Sequence, residues 1–216
     1  MIDTAAARRM MVDGQVRTAD VTDPDLLAAM QAVPRELFVP PDLAAQAYRD
    51  GEISLGRGRA LLRPMVLAKL IQAANVRSGD HVLDVGCGAG YSSAVLSRLG
   101  ASVVALEQEA ELWRAAKEAL IAADARQVQL VDGPLTAGWP AAAPFDVILF
   151  EGSTEIVPSV FGGQLKPQGR LAAILGSGPG RAIIYRRIEG QLVGRSVFNA
   201  AAPVLPGFAA PATFVF

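Results

Sequence analysis

The sequence lacks several features that mark large classes of proteins. It has one cysteine, Cys87, so no internal disulfide can form and a reducing cytoplasm is the expected location. Its 20 basic residues against 21 acidic ones leave no positive surplus to attract nucleic acid or an anionic membrane surface. No apolar run approaches the roughly 20 residues that span a bilayer. Neither nucleic acid nor membrane is therefore predicted as a partner, and no metal site is predicted.

The chain divides into two sequence patterns. With 216 residues, 51% of them hydrophobic, it can bury the core of one α/β domain, and a single domain over residues 1–216 is expected. Residues 1–79 are predicted to form a helical N-terminal extension, with helices over residues 3–16 and 26–33. Residues 80–216 hold short β-branched segments that alternate with helical ones, which predicts a Rossmann-like core and a C-terminal hairpin.

The pattern of the core specifies a fold class. Strands are predicted over residues 81–85, 102–106, 127–131, 145–150 and 170–175, and helices over residues 91–99, 109–122 and 156–165. Such βαβ winding implies an α/β fold with a mostly parallel twisted sheet and helices on both faces. Residues 182–188 and 191–197 predict a hairpin, hence an antiparallel C-terminal edge. Prolines in the tail argue against a central strand there, while residues 213–216 could pair at an edge.

A glycine-rich loop follows the first core strand. Gly86, Gly88 and Gly90 lie between that strand and the helix predicted from Tyr91. Glycines let the backbone turn sharply and approach a ligand closely, and a helix N-terminus offers free N–H groups to an anionic group. Glu107 ends the next strand, where an acidic side chain in this topology accepts hydrogen bonds from ribose hydroxyls. The pattern predicts a nucleoside-containing ligand.

The glycine spacing distinguishes between nucleoside cofactors. A dinucleotide fingerprint is G-x-G-x-x-G, whereas this loop is G-x-G-x-G and Tyr91 takes the place of the last glycine. A nicotinamide oxidoreductase is therefore the least favoured alternative. The stretch LDVGCGAGYSSAVLSRLGASVVALE resembles motif I and its acidic successor in class I methyltransferases. The resemblance implies that the loop holds the amino-acid part of S-adenosylmethionine.

The same resemblance extends the candidate cofactor site. Asp132-Gly133 follows the third core strand, where class I methyltransferases place an acidic or amide side chain near the adenine amino group. Two residues have a structural alternative, because Asp84 could brace the loop instead of touching a ligand and Cys87 could serve packing alone. The predicted cofactor-binding residues are Asp84, Gly86, Cys87, Gly88, Gly90, Glu107, Gln108, Asp132 and Gly133.

Segments outside the cofactor loop resemble the protein-L-isoaspartate O-methyltransferase family, whose members esterify the abnormal carboxylate of isoaspartyl residues. MVDGQVR at residues 11–17, MQAVPRELFVP at residues 30–40 and QLKPQGRL at residues 164–171 carry the resemblance. It extends over residues 10 to about 176. It implies a class I methyltransferase fold, S-adenosylmethionine as cofactor, and a protein or peptide carboxylate as acceptor in protein repair.

The acceptor-side motif departs from that family. The family signature is approximately G-x-G-x-T-I-S-x-P, and residues 56–64 of this chain are GRGRALLRP, so Ala60 replaces the threonine and Leu62 the serine. After the fourth core strand, Glu151 begins a segment that replaces a Thr-Ala-Ala-like stretch. Two hydroxyls are lost, and Glu151 is expected to place a negative charge near the reacting centre. We therefore expect weak or absent isoaspartyl methylation, with Ala60, Leu62 and Glu151 as acceptor-side candidates and no catalytic residue assigned.

The chemistry leaves alternatives open. A carboxylate acceptor is already ionised near neutral pH, so alignment and binding carry the methyl transfer. Glu151 could instead activate a neutral, unidentified small acceptor, and Arg57, Arg59 and Arg63 could attract a carboxylate or merely form a solvated basic loop. The leading interpretation is a methyltransferase of this family with an altered acceptor site. Its rival is a non-catalytic or regulatory module of the same fold, and the sequence defines no oligomeric state.

Overall fold

The computed structural model describes residues 3–211 of the chain. Its α-helices are α1 (Thr4–Met11), α2 (Pro24–Ala32), α3 (Pro64–Ala74), α4 (Tyr91–Arg98), α5 (Ala110–Ala122) and α6 (Val160–Gln164). Its strands are β1 (Ile53–Gly56), β2 (Arg59–Leu61), β3 (His81–Val85), β4 (Ser102–Glu107), β5 (Gln129–Asp132), β6 (Phe145–Thr154), β7 (Leu165–Leu175), β8 (Gly180–Ile188) and β9 (Gln191–Ala200). The strand predicted over residues 213–216 lies outside the described residues.

Capping residues define where the two N-terminal helices begin. Asp3 and Asp23 each accept hydrogen bonds from backbone N–H groups in the first turns of α1 and α2. The helix predicted over residues 3–16 begins as α1 and continues as a wider π-helical segment, Val12–Val16. The α2 helix ends at Ala32 because Pro34 disfavours a helical conformation at the residue before it.

One sheet of seven strands organises the described part of the core, in the order β5-β4-β3-β6-β7-β8-β9. Five adjacent strands, β5, β4, β3, β6 and β7, run parallel to one another. At the edge, β8 pairs antiparallel with β7 and β9 pairs antiparallel with β8. The predicted mostly parallel sheet with an antiparallel C-terminal edge is confirmed. The helix predicted over residues 156–165 is reduced to the short α6, because residues 156–159 stay outside the helix, where Pro158 disfavours a helical conformation at the residue before it.

The two faces of the sheet bury different cores. Val82, Val103 and Val147 belong to a cluster that includes residues from α1 to α5. Their chain neighbours Leu83 and Val104 belong to a second cluster with α6 and the C-terminal segment, residues 201–211, because side chains alternate across a strand. Helices therefore cover both faces, as predicted. Within residues 3–211 no helix has the length and apolar character needed to cross a membrane.

A β-hairpin lies inside the segment predicted to be helical. Strands β1 and β2 pair antiparallel around a turn in which Arg57 and Gly58 have positive φ angles. They contain four and three residues, which is too short for alternation of apolar residues to distinguish a strand from a loop. The hairpin contacts Glu107 at the carboxyl end of β4 through Arg59. It therefore belongs to the candidate site and not only to an N-terminal extension.

Candidate functional site

The glycine loop connects β3 to α4 at the carboxyl end of the parallel strands. Gly86, Gly88 and Gly90 have φ angles of 73°, 58° and 93°, a region that residues with a side chain rarely adopt. The Gly86 N–H donates to the carbonyl of Leu106 at 2.8 Å and ties the loop to β4. The loop thus has the sharp turn that its glycine pattern predicts.

Glu107 ends β4, and its carboxylate faces the glycine loop. The residue is fully buried. Oε2 accepts a hydrogen bond from the Gly88 N–H at 2.8 Å, and Oε1 accepts from the N–H groups of Gln108 and Glu109 at 2.9 and 3.1 Å. The fold therefore brings the predicted acidic residue and the predicted glycine loop within hydrogen-bonding distance of each other.

Arg59 is a third component of this arrangement, which the sequence suggested only as part of a basic loop. Its Nη1 donates to both carboxylate oxygens of Glu107 at 2.9 and 3.1 Å, and its Nη2 donates to the Gly86 carbonyl at 2.5 Å. The side chain is only 2% exposed. Because 48 residues separate Arg59 from Glu107, no local pattern could reveal this pair.

Asp84 and Cys87 have structural roles beside the loop. Asp84 accepts hydrogen bonds from the hydroxyls of Ser92 and Ser93 at 2.7 and 2.5 Å, which braces the first turn of α4. Burial raises the pKa of Asp84 to about 6, although the two hydroxyls lower it. Burial also raises the pKa of the Cys87 thiol well above its ordinary value, so the unreactive thiol form is favoured. Direct ligand contact by either residue stays a prediction.

The adenine-side candidates surround the other flank of Glu107. Asp132 ends β5, pairs in register with Glu107 and is exposed. The Gly133 N–H donates to the Glu107 carbonyl at 3.3 Å, and the Gln108 side-chain oxygen accepts from the Leu135 N–H at 3.2 Å. The fold thus places these residues next to one another at adjacent strand ends, while their contact with adenine stays a prediction.

The acceptor-side candidates are separated by the fold. Ala60 lines an open cleft of about 1160 Å³, whereas Leu62 is 1% exposed and belongs to the hydrophobic core. Arg57 pairs with Glu111 and does not line the cleft. The basic residues that line it are Arg49, Arg59, Arg63 and Arg181. Of the two replaced hydroxyl positions, only position 60 therefore faces the cleft.

Burial of Glu151 disfavours the negative charge that the sequence suggested. Glu151 lies in β6, is 6% exposed, and its Oε1 has no hydrogen-bond partner within residues 3–211. Burial raises the pKa of Glu151 well above its ordinary value, and nearby Asp84 raises it further, while Arg59 and Arg35 oppose the shift. Desolvation penalises the ionised form and so argues against the expected negative charge, while the charge state of Glu151 stays a prediction.

Residues 201–211, the C-terminal segment, also lie against the glycine loop. The Leu205 N–H donates to the Ser153 carbonyl at 2.8 Å, and the Ser153 N–H donates to the Pro203 carbonyl at 2.9 Å. Leu205 is 2% exposed, and a Cβ built on Gly86 would lie 3.1 Å from its Cδ2. The segment forms no sheet strand through residue 211, apart from an isolated bridge between Val204 and Ser153.

Comparison with known proteins decides the family. Residues 7–200 match the family model described as protein-L-isoaspartate(D-aspartate) O-methyltransferase. The chain belongs to this family. A protein-L-isoaspartate O-methyltransferase of Methylorubrum extorquens (strain PA1) is 44% identical over 189 residues, which cover 88% of this chain and 82% of that protein. Another from Methylorubrum populi is 41% identical and covers 84% of this chain and 85% of that protein.

Solved structures of distant relatives support the fold. A protein-L-isoaspartate O-methyltransferase superposes with a TM-score of 0.80 at 24% identity, over 92% of this chain and 66% of that chain. A Plasmodium falciparum protein in complex with S-adenosyl-L-homocysteine gives the same TM-score of 0.80 at 16% identity, over 92% of this chain and 97% of that one. The predicted class I methyltransferase fold is therefore confirmed.

The loop of this family member has the frame for a nucleoside cofactor, but side chains of the β1–β2 hairpin lie against it. A Cβ on Gly86 would lie 2.8 Å from Arg59 Nη2, and a Cβ on Gly88 would lie 2.9 Å from Leu55 Cδ1. The absence of side chains at these glycines leaves a surface that the hairpin occupies in this conformation. The frame fits S-adenosylmethionine on condition that these side chains withdraw.

Proposed function

We propose that this chain is an S-adenosylmethionine-dependent O-methyltransferase that acts on protein or peptide carboxylates of the isoaspartyl type. The observation that carries the proposal is that, in a member of this family, the Glu107 carboxylate accepts a hydrogen bond from the Gly88 N–H at 2.8 Å. When bound, S-adenosylmethionine supplies an electrophilic methyl group on a sulfonium. The loop glycines would hold its amino-acid part, Glu107 its ribose, and Asp132-Gly133 its adenine side.

The cleft beside β2 suits an anionic acceptor. Arg63 and Arg181 line it together with Ala60, and Arg63 is partly neutralised by Asp50 at 3.1 Å. Since a carboxylate is ionised near neutral pH, the part of the protein is to bind and align it. Burial raises the pKa of Glu151, which weakens the repulsion that its carboxylate would exert on such an acceptor. The basic side chains that line the cleft favour a carboxylate over a neutral small acceptor.

Transfer of a labelled methyl group from S-adenosylmethionine is the direct test. We expect slow esterification of an isoaspartyl peptide and none of the same peptide with ordinary aspartate. The slow rate follows from Ala60, which cannot donate the hydrogen bond that a hydroxyl would offer. Absence of transfer to both the isoaspartyl peptide and a cell extract would contradict the proposed activity.

Restoring one hydroxyl in the cleft tests the acceptor assignment. Ala60→Thr is expected to raise isoaspartyl turnover about tenfold or more, since one hydrogen bond to a charged group contributes about 1.5 to 3 kcal/mol. Ala60→Val has the same shape without the hydroxyl and is the matched control. An equal rise in both variants would show that packing, not hydrogen bonding, limits the rate. Leu62→Ser is a poorer test, because it places a hydroxyl in the hydrophobic core.

A second candidate function is a non-catalytic module of the same fold. The buried pair of Arg59 with Glu107 favours it, because the pair engages the carboxylate that the ribose would need. Cofactor binding without methyl transfer to any peptide or extract would support this alternative. We also propose a cytoplasmic location, supported by a single, buried cysteine, and a single domain that binds neither nucleic acid nor membrane, supported by the near balance of charge.

A further inference from the structure

The carboxylate of Glu107 has no acceptor position left for a ligand. Oε1 accepts hydrogen bonds from the N–H groups of Gln108 and Glu109 and from Arg59 Nη1. Oε2 accepts from the Gly88 N–H and from the same Nη1. A carboxylate offers about four lone-pair positions, so these contacts occupy all of them. A ribose hydroxyl can donate to Glu107 only after one of the present donors leaves.

Arg59 is the donor that can leave. The other three donors are backbone N–H groups of the glycine loop and of the residues after β4, and their removal requires the loop itself to unfold. The Arg59 guanidinium is held on a flexible side chain and can withdraw by rotation about its own bonds. Arg59 also lines the open cleft beside β2, so its guanidinium can reach solvent by moving into that cleft.

The guanidinium also blocks the backbone surface of the loop. Its Nη2 donates to the Gly86 carbonyl at 2.5 Å and would lie 2.8 Å from a Cβ at Gly86. Because Gly86 has no side chain of its own, a cofactor would approach the loop backbone at this point. Arg59 therefore occupies both the hydrogen-bonding positions of the Glu107 carboxylate and the space beside Gly86.

We propose that Arg59 occludes the cofactor site: its guanidinium occupies the ribose position against Glu107 and swings into the cleft before S-adenosylmethionine binds. The inference rests on the proposed function. Removal of a buried guanidinium from its carboxylate is unfavourable, so only a fraction of the molecules is competent to bind. The apparent dissociation constant is raised by the reciprocal of that fraction. Arg59 thus sets the affinity for the cofactor without touching the methyl group.

Calorimetric titration with S-adenosylhomocysteine tests the occlusion. Arg59→Gln should lower the dissociation constant by about tenfold or more relative to the unmodified protein, because the closed arrangement is lost. The variant is expected to fold, since three backbone N–H groups still donate to Glu107. Arg59→Lys should give an intermediate value, because one ammonium cannot reproduce the planar fork of donors. Arg57→Gln, in the same hairpin and paired with exposed Glu111, is the control and should leave the constant unchanged.

The possible outcomes separate this inference from the proposed function. If the unmodified protein binds and both Arg59 variants bind equally or more weakly, the occlusion is wrong while the cofactor assignment stands. If neither the unmodified protein nor Arg59→Gln binds at millimolar ligand, the proposed function fails as well. A crystal structure of the unmodified protein with S-adenosylhomocysteine gives an independent result. Arg59 Nη1 should lie beyond hydrogen-bond distance of both Glu107 oxygens, and an intact pair there would overturn the proposal.

Discussion

The glycine loop and the β1–β2 hairpin meet at the same carboxylate, but they make opposite contributions to the site. The loop donates the Gly88 N–H to Glu107 and leaves room for a ligand, since three glycines carry no side chains. The hairpin supplies Arg59, whose guanidinium fills that room and neutralises the carboxylate. In this family member, a frame suited to S-adenosylmethionine is therefore combined with a covering segment that competes with it.

The largest expected effect comes from removing the group that both regions share. Glu107→Ala leaves Arg59 buried without its carboxylate, and loss of one partner of a buried ion pair typically destabilises by about 3–5 kcal/mol. Urea unfolding measures this change, and binding of S-adenosylhomocysteine should be weakened as well. Glu111→Ala removes the partner of exposed Arg57 and should barely alter stability. Equal losses in the two variants would mean that the Arg59–Glu107 pair does not hold the hairpin to the loop.

A smaller effect, on the pH dependence of stability, distinguishes the buried Asp84 carboxyl beneath the loop from the Asp146 carboxyl at the opposite end of the sheet. Burial raises the pKa of Asp84 to about 6, so its contribution to stability is full below about pH 4 and is lost as the pH rises through 6. Asp84→Asn cannot ionise. Relative to the unmodified protein, it should therefore gain up to about 3 kcal/mol in unfolding free energy between pH 4 and pH 8, at about 1.4 kcal/mol per pKa unit.

Asp146 at the start of β6 provides a control of opposite sign. The His81 N–H and the Lys166 ammonium hold its pKa below the ordinary value, although burial opposes them. The stabilisation from Asp146 is therefore present above the unfolded pKa and is lost as the pH falls through the folded one. The loss of unfolding free energy caused by Asp146→Asn, measured against the unmodified protein, should therefore become smaller as the pH falls. Parallel pH profiles for the two asparagine variants would show that burial does not govern Asp84.

The smallest expected effect lies within the loop itself. Gly88→Ala should destabilise the protein by about 1–2 kcal/mol because its φ angle is 58°, and its methyl group would press on Leu55 of the hairpin. Gly79→Ala has a φ of 87° with nothing within 4 Å and should show only the backbone strain of about 1 kcal/mol. Calorimetry should find S-adenosylhomocysteine binding weakened by Gly88→Ala alone. Unchanged binding in both variants would mean that the ligand does not approach this part of the loop.

Local patterns were sufficient for much of the core. The strand that ends before Gly86 and the strand that ends at Glu107 were predicted to within one residue, because each is a short β-branched run bounded by turn residues. The β1–β2 hairpin was missed, since its strands are too short to show a period. Likewise, the helix predicted from residue 156 begins only at Val160, since Pro158 disfavours a helical conformation at the residue before it.

The sequence by itself determined the parallel direction of the core strands, the glycine loop and the acidic residue that faces it, since spacing along one βαβ unit brings the loop and the acid together. Only the tertiary structure decided what covers that loop. Arg59 reaches Glu107 across 48 residues, and Leu205 reaches Gly86 from the C-terminal segment. It also decided that Glu151 is buried and that Leu62 faces the core. Those outcomes depend on burial and on neighbours distant in the chain, which no local pattern of residues encodes.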